Sequence, residues 1–452
     1  MKIKIATAFT LVFVVLATLG IGQDVDAFLQ VSSETPEIMA PVAVSENGKY
    51  LVDAKGEPFF WIADTAWSIN QRFLREEISA YLDDRQEKGF TVIHFRIPHL
   101  ERDDKPTLPN QYGLFPFINK DISRPNEEYF ELVDYMLTEM EKRRMVAALL
   151  PLWGYVVGGK YGYNVSEQDV SFYARWIGER YKDRKNIVWV SGGDSGSDEK
   201  WAILGRELKA TDPQKLVTFH PGRRKISSYH LYGDADWLDF HMTQSGHSIN
   251  LPDNYLTVNE VYNASSQPII NTEPIYEDMH RKQDDGTIYI VPPHQIRKSA
   301  YWSLLAGGFG HVYGHADVTR LTVDRFLSLD SPGAVQMSYL ITLLRGVPWY
   351  TFRPMQSLIA SANPIGGAHM RAAASADNTI AFVYFPEYQS ATIDLSDLQG
   401  PLRARWFDPE TGNSQVSTIT SIDSWRVTPP YQPDALLILE PENGPITDTP
   451  IP

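Results

Sequence analysis

Cysteine is absent from the 452 residues. That excludes disulfides, thiolate metal sites, iron–sulfur clusters and a cysteine nucleophile together. Basic residues are in deficit: 41 Lys and Arg stand against 56 Asp and Glu, a formal net charge of −15. A chain of that sign repels phosphate backbones, so nucleic acid is not an expected partner. There is no Gly-x-Ser-x-Gly turn for a serine nucleophile, no His-x-His or His-Glu-x-x-His spacing, no internal repeat and no low-complexity tract. Long apolar runs are missing too, apart from Ile5–Gly20 at the start. Lys2 and Lys4 precede that run and small Ala27 follows it, a pattern that predicts a signal peptide over 1–27. The run is too short to span a bilayer well. The expectation is a secreted or periplasmic protein, outside the membrane once cleaved, and a monomer.

What the chain does have is aromatic residues, 11 Trp and 23 Tyr among them. Flat rings suit both a large core and a sugar-binding cleft. Short β-branched or aromatic runs recur at Phe59–Ala63, Val92–Phe95, Val146–Leu150, Ile187–Val190, Val217–Phe219, Leu238–Phe240, Ile269–Ile270 and Gly310–Tyr313. They are too short for helices. Helical spacing lies between most of them, over Arg75–Lys88, Asn126–Arg143, Asp198–Thr211 and from Pro292 to Ala306. Ser166 with Asp169 opens another helix as a capping box. Arg223–Asp236 reads as loop. Strands and helices alternate over about 255 residues, which predicts a (β/α)8 barrel. An open doubly wound sheet would want a glycine-rich turn after the first strand, where Asp64-Thr65-Ala66-Trp67 stands instead.

Past Arg345 the helical spacing stops and turn residues recur, which predicts an antiparallel β-sandwich with strands near Ile380–Phe385, Ala391–Leu395, Ala404–Phe407 and Ala435–Leu439. The domain reading is a signal peptide at 1–27, a linker at 28–45, a catalytic barrel at 46–347, a sandwich at 348–442 and a flexible tail at 443–452.

Barrel enzymes carry their chemistry at the carboxyl ends of the strands. The residues just past the apolar runs are Asp64, Arg96, Trp153, Asp194, His220, His241, Glu273 and His315. Asp194 follows Gly192-Gly193 after the fourth strand, and Glu273 follows the seventh, across the barrel mouth. Glycoside hydrolysis needs such a carboxyl pair; a turn-forming Asp and a cap before Pro274 are the structural alternatives. Asp64, Arg96, His220 and His241 are candidates for binding sugar hydroxyls, and Arg96, the one cation in the set, for binding a uronate carboxylate. Trp67, Trp153, Trp302 and Tyr313 offer flat faces for a sugar ring, with Tyr276 beside Glu273. His94, His220, His241 and His315 with Asp64 form a weaker, metal-binding alternative; no cofactor is expected. A polysaccharide or oligosaccharide is the expected partner. A binding protein without activity, and a sandwich acting as an adhesion unit, are the other readings. The charged loop Tyr276–Val291 is long for a strand-to-helix link and is expected to overhang the cleft as a subsite wall.

Pro58-Phe59-Phe60-Trp61-Ile62-Ala63-Asp64-Thr65-Ala66-Trp67, Asn186-Ile187-Val188-Trp189-Val190-Ser191-Gly192-Gly193-Asp194, Thr218-Phe219-His220-Pro221-Gly222, Asn271-Thr272-Glu273-Pro274 and Arg297-Lys298-Ser299-Ala300-Tyr301-Trp302 resemble the apiosidase-like glycoside hydrolase family (glycoside hydrolase family 140). The likeness covers roughly residues 45–345. Arg405-Trp406-Phe407-Asp408-Pro409-Glu410-Thr411-Gly412 is similar to the sandwich domain that accompanies this family, once labelled for collagen binding. The resemblance implies a retaining mechanism, with Asp194 as acid/base and Glu273 as nucleophile. It leaves the sugar open.

Overall fold

The runs rich in Val, Ile and aromatic residues form strands β1 (Trp61–Thr65), β2 (Val92–Arg96), β3 (Val146–Leu150), β4 (Ile187–Ser195), β5 (Val217–Pro221), β6 (His241–Thr243), β7 (Ile269–Asn271) and β8 (Gly310–Tyr313). The computed structural model describes residues 40–101, 107–222, 224–250, 252–283, 285–320 and 326–444. The expected signal peptide, residues 28–39 of the linker and 445–452 of the tail lie outside the described residues. Among the described residues, no helix is long and apolar enough to cross a membrane.

One ladder runs β8-β1-β2-β3-β4-β5 and a second joins β6 to β7, every pairing parallel. Asp239 N–H donates to Val217 O at 2.9 Å and Phe309 N–H to Ile269 O at 3.2 Å. These bonds bridge the two ladders and complete a (β/α)8 barrel. A helix follows each strand: α1 (Arg75–Glu87), α2 (Glu127–Lys142), α3 (Glu167–Tyr181), α4 (Glu199–Thr211), α5 (Ser228–Tyr232), α6 (Asp253–Ala264), α7 (Pro293–Leu305) and α8 (Pro332–Arg345). Ser166 caps α3 reciprocally with Asp169, as the sequence predicts. The Arg223–Asp236 segment departs from expectation by folding the short helix α5, capped by Ser227. The linker also differs. Pro41–Val44 pairs antiparallel with Leu51–Asp53, which pairs in turn with Pro58–Phe59.

Alternation along the strands decides what each residue meets. Ala63, Val92, Ala148, Val190, Met242 and Val312 pack within one buried cluster that fills the barrel. Their neighbours Ile62, Ile93, Leu149, Trp189 and Tyr313 belong to the shell between strands and helices.

In the C-terminal sandwich, Arg353–Pro354, Arg371–Ala374, Ala381–Phe385, Ala435–Pro441, Leu402–Phe407 and Ser414–Ser417 form an antiparallel sheet in that spatial order, and Ala391–Ile393 pairs with Trp425–Val427. This domain docks on α7. Arg297 is buried and donates to Asp434 at 2.6 Å and to Gln336 at 2.7 Å. Tyr301 stacks on Tyr384 at 4.7 Å. The Arg297–Trp302 motif is therefore a docking surface for the sandwich.

Candidate active site

At the end of β4 the register with β5 slips between Gly192 and Ser195. Gly192, Gly193 and Asp194 take φ of 92, 101 and 50°. A side chain on Gly193 would strike the Trp153 ring at 2.6 Å, so only glycine lets that indole lie against the strand end. The irregularity re-aims the chain, as β-bulges beside active sites do, and leaves Asp194 exposed at the mouth.

Glu273 leaves the end of β7 and is 5% exposed. Its Oε1 accepts from Tyr276 OH at 2.7 Å and meets His247 Nε2 at 3.0 Å. Its Oε2 accepts from Gln244 Nε2 at 2.7 Å. His220 Nε2 stands 3.2 Å from the same oxygen as a charge contact, off the angle of a hydrogen bond. Gln244 Nε2 also donates to Asp194 Oδ1 at 3.0 Å. Ligand-type atoms of Asp194, His220 and Glu273 all lie within 4.8 Å of one another.

The two carboxyl groups are electrostatically unlike. Burial alone would push Glu273 up, but contacts from His220 and His247 outweigh it and hold the group well below the ordinary range. Asp194 has an exposed surface, yet protein packs densely around its carboxyl. That desolvation first, and the negative charge of Glu273 second, push it up. Burial would lower His220, and the neighbouring Glu273 and Asp194 instead hold it above the imidazole range. One carboxyl is thus kept ionised and the other is biased towards holding its proton, the division that acid-assisted nucleophilic chemistry requires.

Aromatic rings surround the pair. Trp67 and Trp153 meet at 5.0 Å and 69°, and Trp67 Nε1 donates to Tyr276 OH at 3.1 Å. His220 lies 5.5 Å from Trp67 and 5.8 Å from Trp153. The Arg96 guanidinium stacks 4.6 Å over Trp153 and reaches Ser68 Oγ at 3.3 Å. His94 lies deeper, its ring pushed down to about 3 by burial.

The sequence-predicted residues therefore divide. Asp194, Glu273, Trp67, Arg96, Trp153, His220 and Tyr276 come together. Asp64, His241, Tyr313 and His315 do not, because their side chains are bonded to partners outside this cluster. Asp64 accepts from Tyr81 OH at 2.7 Å and Arg85 Nε at 2.5 Å. His241 bonds Ser228, Asp234 and Ser265, each at 3.0 Å. Tyr313 OH donates to Glu277 at 2.7 Å, and His315 meets Asp278 at 3.1 Å. Trp302 is also elsewhere, donating to His369 O in the sandwich at 2.8 Å. The same placements disperse the metal set built on four histidines and Asp64. The Tyr276–Val291 loop folds as a hairpin, His280–Lys282 against Ile288–Ile290. Gln244 and His247 escaped the sequence reading. Gln244 continues the inward alternation of Phe240 and Met242, a signal that was there to use. His247 sits in a loop without periodicity.

A (β/α)8 barrel with two carboxyl groups at its strand ends is the arrangement glycoside hydrolases use, and similar solved structures are glycoside hydrolases. A glycoside hydrolase family 5 protein from Bacteroides vulgatus ATCC 8482 matches with 28% identity and a TM-score of 0.81, over 89% of this chain and 94% of that one. A second glycoside hydrolase matches with 27% identity and a TM-score of 0.80, over 90% and 98%. An alpha-amylase from Malbranchea cinnamomea, at 9% identity and a TM-score of 0.53 over 83% and 96%, shares the fold alone. Residues 45–351 match the apiosidase-like catalytic domain, so the chain belongs to the apiosidase-like family and is a glycosidase. Residues 354–440 match a domain family named for collagen binding in a collagenase. No curated protein matches the chain.

Proposed function

We propose that the enzyme is a secreted, retaining glycosidase that cleaves a glycosidic bond in a plant pectic or algal polysaccharide. Glu273 attacks the anomeric carbon while Asp194 gives its proton to the departing oxygen. Asp194 then takes a proton from water as that water bonds to the anomeric carbon, and the carbon–oxygen bond to Glu273 breaks with its electron pair returning to the carboxylate. The observation that carries this reading is the approach of the two carboxyl groups. One oxygen of each lies within 4.8 Å of the other, which supports the close ~5–5.5 Å spacing of retaining sites over the ~6.5–9.5 Å of inverting ones. The charged start and apolar run at residues 2–20 support export. Arg96, 5% exposed beside Trp153, supports an acidic sugar near the cleaved bond, and the family name makes an apiosyl group the first to test. Plant and algal polysaccharides incubated with enzyme should release sugar from at least one pectic or algal fraction, with Glu273→Gln releasing none. Release by that variant at the normal rate would refute the assignment.

A further inference from the structure

His247 meets an acceptor at each ring nitrogen. Nδ1 lies 3.0 Å from Pro274 O, and Nε2 lies 3.0 Å from Glu273 Oε1. A backbone carbonyl only accepts, so Nδ1 carries a hydrogen. An ionised carboxylate also only accepts, so Nε2 carries one too. Moving the proton to Glu273 is no remedy, because its oxygens already face donors. Tyr276 OH takes the Trp67 hydrogen and so directs its own to Oε1, while Gln244 supplies Oε2. Both ring nitrogens of His247 thus face groups that only accept, an arrangement that a ring carrying both hydrogens satisfies, and its contact with Tyr276 at 4.3 Å holds it in place. Among the described residues, the charged groups around this loop include Asp194, joined through Gln244, buried His220 on Oε2, Arg224 and Lys225 with Asp253 beyond Gly246, and Lys298, which donates to Asn250 at 2.7 Å.

The two oxygens of Glu273 have different surroundings. Oε2 faces Asp194 through the shared Gln244 amide, and on the retaining reading it is the oxygen that bonds the sugar. Oε1 stays behind, held by Tyr276 and His247. Resting on the retaining reading above, we infer that His247 is a positioning residue that assists the second half of the reaction more than the first. When Oε2 bonds the anomeric carbon, Glu273 loses its charge, and the imidazolium is left facing an ester oxygen. When water attacks that carbon, the carbon–Oε2 bond breaks and its electron pair returns to the carboxylate. A cation already placed at Oε1 stabilises the charge that reappears there, with no reorganisation at the moment of reaction. In the first half the same cation steadies the nucleophile and so gives no comparable advantage.

The test uses 4-nitrophenyl apioside and His247→Gln in the full chain. Release of 4-nitrophenol should show a burst of about one equivalent followed by turnover slowed by about 100-fold, the scale of losing one preorganised donor. Intact mass should then show a glycosyl group on the enzyme. Should His247→Gln fail to fold, His247→Phe, which keeps the ring contact with Tyr276 and drops both donors, is read the same way. Equal slowing of both steps, with no burst and no adduct, would overturn the inference. A separate arm guards the underlying reading: Glu273→Gly with added azide should form a glycosyl azide of inverted configuration. Failure of that arm removes the nucleophile assignment itself, whereas success there with no burst removes only the role of His247.

Discussion

Asp194 and Glu273 share a single donor atom: Gln244 Nε2 lies 3.0 Å from Asp194 Oδ1 and 2.7 Å from Glu273 Oε2. Its two hydrogens hold the carboxyl groups at a fixed separation. The bond also favours the ionised form of Asp194, against the upward push of burial and of Glu273. Gln244→Leu should therefore raise Asp194 further. Asp194 must be protonated for the first step, so the alkaline limb of kcat/KM should move to higher pH while kcat falls by about 10–100-fold as preorganisation is lost. A limb that stays in place in the pH profile would show that the amide does not couple to Asp194.

Removing the charge of Glu273 should act in the opposite direction. In Glu273→Gln one of the two main upward influences on Asp194 is gone, so Asp194 should titrate closer to its ordinary value. Carboxyl carbon NMR across a pH series measures this. An unchanged or higher Asp194 value would mean that the two groups do not sense one another.

Asp64 should matter to stability and leave chemistry alone. It is fully buried with Arg85 and Tyr81 on the outer face of β1. Asp64→Asn removes the fully buried carboxylate partner of Arg85 and leaves only Asp84, at 2.7 Å; breaking a buried pair costs up to about 3–5 kcal/mol. Denaturant unfolding should show that loss, with kcat per folded molecule near wild type. A stable variant with a raised KM would return Asp64 to the cleft.

How much of this was legible in the sequence turns on alternation. The barrel strands, most of their helices and the sandwich could be read because short β-branched runs and helical spacing are local signals. Choosing the residue after each run ignored which way it points. Along β1, Ile62 and Asp64 share the outward face, and along β6, His241 and Thr243 do. Arg96 follows Val92 and His94 inward, and Gln244 follows Phe240 and Met242. A period of two would have separated these groups. It would not have found His247, whose position depends on how the loop after β6 folds back over Pro274. Nor would it have found Pro41–Val44, which becomes a strand only because Leu51–Asp53 lies beside it.

The hairpin after Glu273 should select the glycan. Its strand Ile288–Ile290 exposes Ile288 and Ile290 at 67% and 53%, apolar surface of a kind that suits a contact with a large substrate. Replacing residues 280–290 with a short Gly-Ser link should lower kcat/KM on the polysaccharide by about 10-fold or more, since ~1.4 kcal/mol of lost contact is a factor of ten. Cleavage of a small aryl glycoside should be unchanged. Equal rates on both substrates would make the hairpin a neutral insertion.

Arg96 should discriminate by charge. With Arg96→Ala, KM should rise more for a substrate bearing a uronate next to the cleaved bond than for its neutral analogue, because a guanidinium holds a carboxylate through paired, charge-assisted bonds. Parallel changes on both substrates would assign Arg96 to supporting Trp153.

The most direct test of the retaining reading is the configuration of the first sugar released. Proton NMR during the first minutes of hydrolysis, before the free sugar equilibrates, distinguishes the anomers. Attack by Glu273 followed by attack of water inverts the anomeric carbon twice, so the product should carry the configuration of the substrate. A product of opposite configuration would mean a single displacement by water, and would contradict the role of Glu273 as nucleophile.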